Sequence, residues 1–172
     1  MQITTTTLTY NSIGLYTLLV ILLFSTACQS SEQVDANELF KQYFLPAQND
    51  VINTAEGAAA QQLHEQAFRL YDQERYHQAL LLFDEVLRVD KNQDILFFKA
   101  NTLLVLGQYQ SAYQFFMEIP ADSQRYMDSQ WYAALSAMRM GDNEKGKQHL
   151  KLVSKTKSTH QVEAKELLRL LD

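Results

Sequence analysis

Apolar side chains recur every three or four positions from about residue 59 to the C-terminal end of the chain. That spacing places them along one face of an α-helix. A shorter stretch, ELFKQYFLP at residues 38–46, follows the same spacing, and Pro46 stops it. The pattern therefore predicts an all-α protein in which a short amphipathic helix precedes the main domain.

The helical region contains three copies of one pattern. The segments ERYHQALLLFDEVL, GQYQSAYQFFMEIP and GDNEKGKQHLKLVS begin at residues 74, 107 and 141, so the copies lie 33 and then 34 residues apart. Small residues recur inside them and upstream of them, as Ala79, Ala112 and Gly146 and as Ala67, Ala100 and Ala134. Two helices per copy explain both series, because paired helices approach closely only where side-chain volume is missing.

This period and these residues resemble the tetratricopeptide repeat, a helix-turn-helix unit of about 34 residues. Gly107 and Gly141 stand at the turn inside the repeat, where a left-handed residue ends the first helix, and Glu74 takes that place in the first copy. The resemblance implies an α-α superhelix of about three helix pairs, at residues 60–92, 93–120 and 126–154, within a domain of residues 59–172. An amphipathic helix at residues 158–171 is expected to cap the last pair.

Residues 1–27 resemble a signal peptide and are excluded from the fold. Residues 1–31 carry no charged side chain, and the apolar run at residues 13–24 is short for a membrane span of roughly 20 residues. Ser-Thr-Ala-Cys at residues 25–28 resembles a bacterial lipoprotein signal, which implies cleavage before Cys28 and lipid, including palmitate, on that residue. An uncleaved short anchor, ordinary secretion and a buried thiol are the alternatives.

The stretch between the cysteine and the repeats, residues 28–58, is predicted to be a tether that carries the short amphipathic helix. Leu39, Phe40, Tyr43 and Phe44 form the apolar face of that helix. Two roles stay open for it. It packs on the end of the repeat domain as a cap, or it docks on a partner.

The composition of the chain limits which kinds of functional site it can contain. Cys28 is the single cysteine, so the chain has neither an internal disulfide nor a multi-cysteine zinc site. The four histidines, at positions 64, 77, 149 and 160, are spread along the chain, and no phosphate loop or nucleophile elbow occurs. A net charge of −5 argues against nucleic-acid binding. We therefore expect no enzymatic activity, no metal and no cofactor.

The candidate binding surface is the concave groove that the first helix of each pair lines in tetratricopeptide stacks. One face of these helices is predicted to bind a partner's peptide or helix through His64, Phe68, Tyr71, Phe97, Asn101, Trp131 and Met138. Alternatively, Phe68, Phe97 and Trp131 belong to the core. Some tetratricopeptide proteins clamp acidic C-termini with Lys and Asn, but only Asn101 matches that set, so a mainly apolar ligand fits better.

A second candidate surface is basic. Residues 144–172 hold seven Lys or Arg against four acidic side chains, and Lys147, Lys151 and Lys155 share one helix face. A solvated helix face explains these lysines. Contact with lipid headgroups or with an acidic partner is the functional alternative.

Together, these features predict a membrane-anchored interaction module of the bacterial cell envelope, a scaffold or adaptor. Its partners are expected to be proteins of unknown identity and the membrane, without nucleic acid or a small-molecule substrate. Gln29 after the cysteine favours the outer membrane and leaves the periplasmic or surface face undecided. Two alternatives stay open: an accessory lipoprotein subunit of an outer-membrane assembly or import complex, and the extracytoplasmic part of a signalling system.

Overall fold

The computed structural model describes residues 35–51 and 57–171, and its regular structure in these ranges is helical. Helix α1 spans Ala36–Tyr43. Three helix pairs follow: α2 (Ala58–Asp72) with α3 (Tyr76–Val89), α4 (Gln93–Val105) with α5 (Tyr109–Met117), and α6 (Tyr126–Arg139) with α7 (Asn143–Lys155). The last helix, α8, spans Gln161–Leu171 and begins slightly later than the sequence predicts. The predicted all-α fold of three helix pairs and a C-terminal helix is confirmed. Residues 1–27, predicted to be a signal peptide, and Cys28 lie outside the described residues.

From α2 to α8, each helix packs against the next one in the chain, so the pairs form a linear stack, and α4 also contacts α6. The small residues that mark the repeats lie at the helix contacts. Five of them are fully buried, namely Ala67, Ala79, Ala100, Ala112 and Ala134. At Gly146, an added Cβ would lie 2.9 Å from Met138 Cγ and 3.3 Å from the Ala134 carbonyl oxygen. The predicted close approach of paired helices at small residues is therefore confirmed.

Three turns of the same form separate the helices within the pairs. In each, the first residue past the helix cap has a positive φ, 59° at Glu74, 76° at Gly107 and 81° at Gly141. Two backbone hydrogen bonds close each turn, as in Glu74 N–H to the Tyr71 carbonyl (2.9 Å) and Arg75 N–H to the Leu70 carbonyl (2.8 Å). This is the Schellman arrangement, which pairs the last carbonyls of a helix. Glu74 adopts it although its Cβ disfavours the left-handed region.

Aromatic rings fill the space between the first and second pairs. Phe68 of α2 contacts Phe83 of α3 and Phe98 of α4 edge to face, with ring centroids 5.2 and 5.0 Å apart. At the other end of the stack, Leu167 of α8 is fully buried, whereas Val162 in its first turn is exposed. Burial of α8 through one face matches its predicted role of covering the last pair.

Candidate protein-binding groove

The first helices of the three pairs, α2, α4 and α6, are crossed by an earlier part of the same chain. We call residues 36–51 the arm; it consists of α1 and the non-helical residues 44–51. Helix α1 packs on α6, and the residues after it reach side chains of α4 and α2. The arm thus lies across the faces that were expected to line the groove. Helix α1, expected either to cap the end of the domain or to dock on a partner, packs on α6 in the third pair, and the contacts with the first two pairs come from the residues after it.

Helix α1 is held by one arginine at the C-terminal end of α6. The guanidinium of Arg139 lies over the rings of Phe40 (5.1 Å) and Tyr109 (4.6 Å) and donates a hydrogen bond of 2.6 Å to the Tyr109 hydroxyl. It also donates to the side-chain oxygen of Asn37. Leu39 and Phe40 of α1 are both buried. A cation over two rings stabilises such a contact by about 0.5–2 kcal/mol, more as water is excluded.

A second aromatic ring follows one helical turn later. Phe44 stacks on Phe40 with ring centroids 4.7 Å apart and meets Tyr132 of α6 edge to face at 6.3 Å. Residues four apart on a helix share a face, so this pair continues the apolar face of α1 into the groove. Phe44 itself is extended, with φ −84° and ψ 117°, which turns the chain out of the helix.

The extended part of the arm is bound through its backbone. The hydroxyl of Tyr132 donates to the carbonyl of Leu45 (3.0 Å), and the hydroxyl of Tyr71 donates to the carbonyl of Ala47 (2.8 Å). The N–H of Ala47 donates to Oδ1 of Asn101 at 3.4 Å. Each of α6, α2 and α4 therefore contributes one side chain to a backbone group of the arm. Because any extended peptide offers such groups, these contacts do not depend on the arm's side chains.

Burial keeps both phenols in the form that donates. Desolvation raises the pKa of Tyr71 and of Tyr132 far above the ordinary tyrosine value, because an ionised phenolate would lose its water. Pro46 lies between the two bonded carbonyls, where its lack of an N–H costs no hydrogen bond and its ring favours an extended backbone.

The C-terminal end of the arm is held by charge. Arg125 pairs with Asp50 of the arm and with Asp94 at the start of α4, where its Nε lies 2.5 Å from the carboxylate. The hydrogen bond from Arg125 lowers the pKa of Asp50. Asn49 donates 3.0 Å to the carboxylate of Asp72 in α2. Since the carboxylate of Asp50 is 65% exposed, this pair contributes modestly to stability.

A cavity of about 300 Å³ lies beside the extended part of the arm. Its groove side includes Phe97, Arg125 and a close pair, Asp128 and His160, with Asp128 Oδ1 and His160 Nε2 4.0 Å apart. Burial raises the pKa of Asp128 and lowers that of His160, and each is opposed by the other's charge. His160 also stacks on Trp131 at 4.8 Å, nearly parallel. The groove is therefore not completely filled by the arm.

Comparison with known proteins identifies the repeat. The sequence model of the tetratricopeptide repeat matches residues 70–138. Over this part of the chain the sequence is similar to the tetratricopeptide repeat. The matched residues include the second half of the first helix pair, the whole second pair and the first helix of the third. No curated protein matches the chain.

The fold is similar to that of SycD, the type III secretion translocator chaperone of Yersinia enterocolitica. One SycD structure is 16% identical and covers 64% of this chain and 87% of its own, with a TM-score of 0.56. A second, of an alternative dimer, is 18% identical and covers 69% and 93%, with a TM-score of 0.57. A third, of SycD in complex with a peptide of the translocator YopD, is 17% identical and covers 69% and 94%, with a TM-score of 0.58. At these identities the likeness shows the fold alone.

Six of the seven predicted groove residues divide into two sets within the helix stack. Tyr71 and Asn101 bind the arm's backbone directly. Four others are at most 5% exposed and pack inside the stack: Phe68, Phe97, Trp131 and Met138. Core packing, the alternative left open for three of them, describes their position in this structure. Their contact with a partner stays a prediction.

His64 is buried at the edge of the groove. It is 3% exposed and packs on Phe68 at 4.7 Å, and burial lowers its pKa. Its Nε2 has no hydrogen-bond partner in the described ranges, and it borders an open pocket that Asn49 of the arm also lines. Its predicted role in partner binding is untested.

Sequence reasoning missed two groove residues, Tyr132 and Arg125. Tyr132 occupies the position that Phe98 holds one copy earlier, and Phe98 is fully buried, so the repeat pattern assigns the position to the core. Arg125 lies in the irregular segment between the second and third pairs, which has no repeat register to follow. A tyrosine at a core position, which needs a partner for its hydroxyl, was the available signal.

The basic residues lie on α7. Lys151 and Lys155 are exposed, whereas Lys147 is half-buried with its Nζ 3.9 Å from Glu144. Their proposed contact with lipid or an acidic partner remains a prediction.

Across residues 35–51 and 57–171, the structure contains neither a cluster of three metal-ligating side chains nor a helix with the length and apolar character of a membrane span.

Proposed function

We propose that this protein is a non-catalytic interaction module of the bacterial cell envelope, anchored by lipid on Cys28, whose tetratricopeptide groove binds an extended segment of a partner protein. One observation carries the groove assignment. Residues 44–50 of the chain itself lie extended on α2, α4 and α6, with backbone groups bound by Tyr71, Asn101 and Tyr132.

The chemistry of the groove suits a peptide better than a small molecule. Its hydrogen-bonding side chains are placed to meet successive backbone groups of an extended chain, and its aromatic rings offer edges to apolar side chains. Large rigid rings contribute much contact area at low entropic cost, which is why they are common in protein interfaces. The structure of SycD with a YopD peptide supports the proposal, since it is a protein of similar fold bound to a peptide.

The anchoring part of the proposal is supported by the sequence at residues 13–28. An apolar run of this length followed by Ser-Thr-Ala-Cys resembles a lipoprotein signal. Several acyl chains on one cysteine hold a protein at a membrane firmly, because each buried methylene contributes about 0.8 kcal/mol. The groove would then act on partners within reach of the membrane surface.

Site-specific photo-crosslinking in living cells tests the groove. A photoreactive benzoyl-phenylalanine replaces Thr159, which is exposed and lines the cavity beside the arm. Matched probes replace Leu81, exposed on α3, and Lys151, exposed on α7. We expect a partner to be captured at Thr159 in higher yield than at the other two positions. Equal capture at all three, or capture mainly at Lys151, would contradict the groove assignment.

Metabolic labelling with a palmitate analogue tests the anchor. We expect the wild-type chain to carry the label and to sediment with membranes, and Cys28→Ser to lose the label. The control is a serine-to-alanine change at Ser30, which leaves the cysteine in place. Unlabelled wild-type protein, or equal labelling of Cys28→Ser, would contradict lipidation at this residue.

A further inference from the structure

The arm makes the kind of contacts that a bound ligand makes. Residues 44–50 contact the repeats through hydrogen bonds of their backbone, a hydrogen bond from Asn49 to Asp72, one ring edge and an ion pair whose carboxylate is exposed. Leu45 is 75% exposed, so its side chain does not enter the core of the stack. Each of these contacts is individually weak, and together they hold a segment that can leave without opening the helix pairs.

We infer that the arm is an internal ligand of the groove, which a partner displaces by presenting a segment with the same chemistry. The inference rests on the proposed function and specifies its partner. The segment has two aromatic side chains four residues apart, then an extended backbone that contains proline, and then a carboxylate. In the arm these are Phe40 and Phe44, Pro46, and Asp50.

Each feature of that segment has a counterpart in the groove. The first ring lies under Arg139 and beside Tyr109, and the second meets Tyr132. The hydroxyls of Tyr132 and Tyr71 bind carbonyls two residues apart, which are two consecutive carbonyls on the same side of an extended chain. The carboxylate at the end pairs with Arg125, which Asp94 holds in position.

Competition by the arm sets the affinity that a partner experiences. While the arm is docked, only the fraction of molecules with an open groove binds a partner, and the apparent dissociation constant rises by the inverse of that fraction. If the open fraction is about 1–10%, loosening the arm strengthens binding by about 10- to 100-fold. The protein would then respond to partners at high local concentration, such as those held at the same membrane.

The test measures binding of a fluorescent peptide with the sequence of residues 36–51 to the purified full-length chain in detergent. In the loosened variant, Phe44→Ala/Asp50→Asn, neither altered side chain is fully buried, so we expect the helix pairs to stay folded. Asp50→Asn alone is the milder variant. Leu45→Ala is the matched control, because it changes an arm side chain that points to solvent. Circular dichroism reports that all variants are folded.

We expect the loosened variant to bind the peptide at least about tenfold more tightly than the wild type and Leu45→Ala do. Adding Tyr71→Phe/Tyr132→Phe to the loosened variant should weaken binding again by about tenfold, through loss of two hydrogen bonds. The tyrosines are replaced in the loosened variant because the arm and the peptide accept hydrogen bonds from the same two hydroxyls. In the wild type, their loss would weaken both the arm and the peptide. Peptides that carry Phe44→Ala or Asp50→Asn should also bind the loosened variant more weakly than the unchanged peptide does.

Two results would overturn the inference. Equal binding to the wild type and the loosened variant would show that the arm does not compete for the peptide's site. An absence of binding to every folded variant would show that the arm is not a ligand at all. In either case, capture of a partner through Thr159 would leave the proposed function standing, so the two failures are distinguishable.

Discussion

The hydroxyl of Tyr71 donates a hydrogen bond of 2.8 Å to the backbone carbonyl of Ala47, which joins the first repeat helix to a residue 24 positions earlier in the chain. The donor is fixed by the repeat, because Tyr71 packs edge to face on Tyr76 and Phe98. The acceptor is a backbone group that every peptide possesses. The repeat therefore fixes where the hydrogen bond forms, but any extended peptide could supply its acceptor.

The two phenolic hydrogen bonds should contribute measurably to stability. Tyr71→Phe and Tyr132→Phe keep the packed rings but leave the carbonyls of Ala47 and Leu45 without their donors, and we expect each to lower the free energy of unfolding by about 1 kcal/mol. Urea denaturation followed by circular dichroism measures the change. Tyr126→Phe is the control, since no hydrogen bond of its hydroxyl occurs among the residues that the structure covers. Losses no larger than that of the control would show that these bonds do not hold the arm.

The left-handed turn at Glu74 predicts a stabilising substitution. Glu74→Gly removes a Cβ from a residue with φ 59°, and we expect it to raise the free energy of unfolding by about 0.5–1 kcal/mol after the greater entropy of unfolded glycine is included. Gly107→Ala places a Cβ at the equivalent turn, where φ is 76° and space is available, and should lower stability by about 1 kcal/mol. Changes of the same sign in the two variants would contradict the shared turn geometry.

The helix stack could be predicted from the sequence because its signals are local and repeated. Ala79, Ala112 and Gly146 recur at the repeat period, and the repeats place them at equivalent helix contacts. The left-handed turn residues follow from the same alignment. Each copy confirms the others, so a departure such as Glu74 does not obscure the pattern.

The position of the arm could not be predicted, because it depends on contacts far apart in the sequence. The amphipathic pattern of a helix predicts that one face is buried, but it does not identify the surface that covers that face. Phe40 and Phe44 are as compatible with a cap on the end of the domain as with a position in the groove. The partner Arg139 lies 102 positions after Asn37. Aromatic side chains on the first helices were likewise ambiguous, since Phe97 and Trp131 prove to be 1% exposed. Replacing either residue with Ala would lower the free energy of unfolding by about 3–5 kcal/mol, so a loss of binding in that variant could not be separated from unfolding.

A half-buried histidine on α7 should make stability depend on pH. His149 Nε2 lies 3.1 Å from the Tyr113 hydroxyl and Nδ1 lies 2.7 Å from Gln130 Oε1, so in the neutral ring Nδ1 donates to the amide oxygen and Nε2 accepts from the hydroxyl. Burial, with a smaller effect of the Lys145 charge, lowers its pKa below the ordinary 6.5. Between the folded and unfolded pKa values the unfolded chain binds more protons, so this contribution is complete above pH 6.5 and is lost as the pH falls.

Chemical denaturation at pH 7.5, 6.5 and 5.5 measures that dependence. We expect the wild type to lose stability below pH 6.5, with at most about 1.4 kcal/mol per pH unit from this histidine, and His149→Gln to show a shallower slope. Asp128, whose pKa burial raises, acts in the opposite direction, because its contribution is lost as the pH rises. The difference between the two proteins isolates His149. Parallel slopes would contradict the role assigned to it.

The close approach of α6 and α7 predicts that a single methyl group is harmful. Gly146→Ala would place a Cβ 2.9 Å from Met138 Cγ and 3.3 Å from the Ala134 carbonyl oxygen. Although alanine favours a helix over glycine by about 1 kcal/mol, we expect the overpacking to outweigh this and to lower stability by about 1 kcal/mol net. Thermal denaturation measures the effect. Unchanged or increased stability would show that the helices can separate at little cost.

Amide hydrogen exchange of residues 44–50 in the purified full-length chain tests most directly whether the groove holds an extended segment by its backbone. The Ala47 N–H, bonded to Asn101, is predicted to exchange about 10- to 100-fold more slowly than in the free peptide. Phe44→Ala/Asp50→Asn should reduce this protection, while amides inside α4 stay protected. Exchange of Ala47 at the free-peptide rate in the wild type, with α4 still protected, would contradict the account.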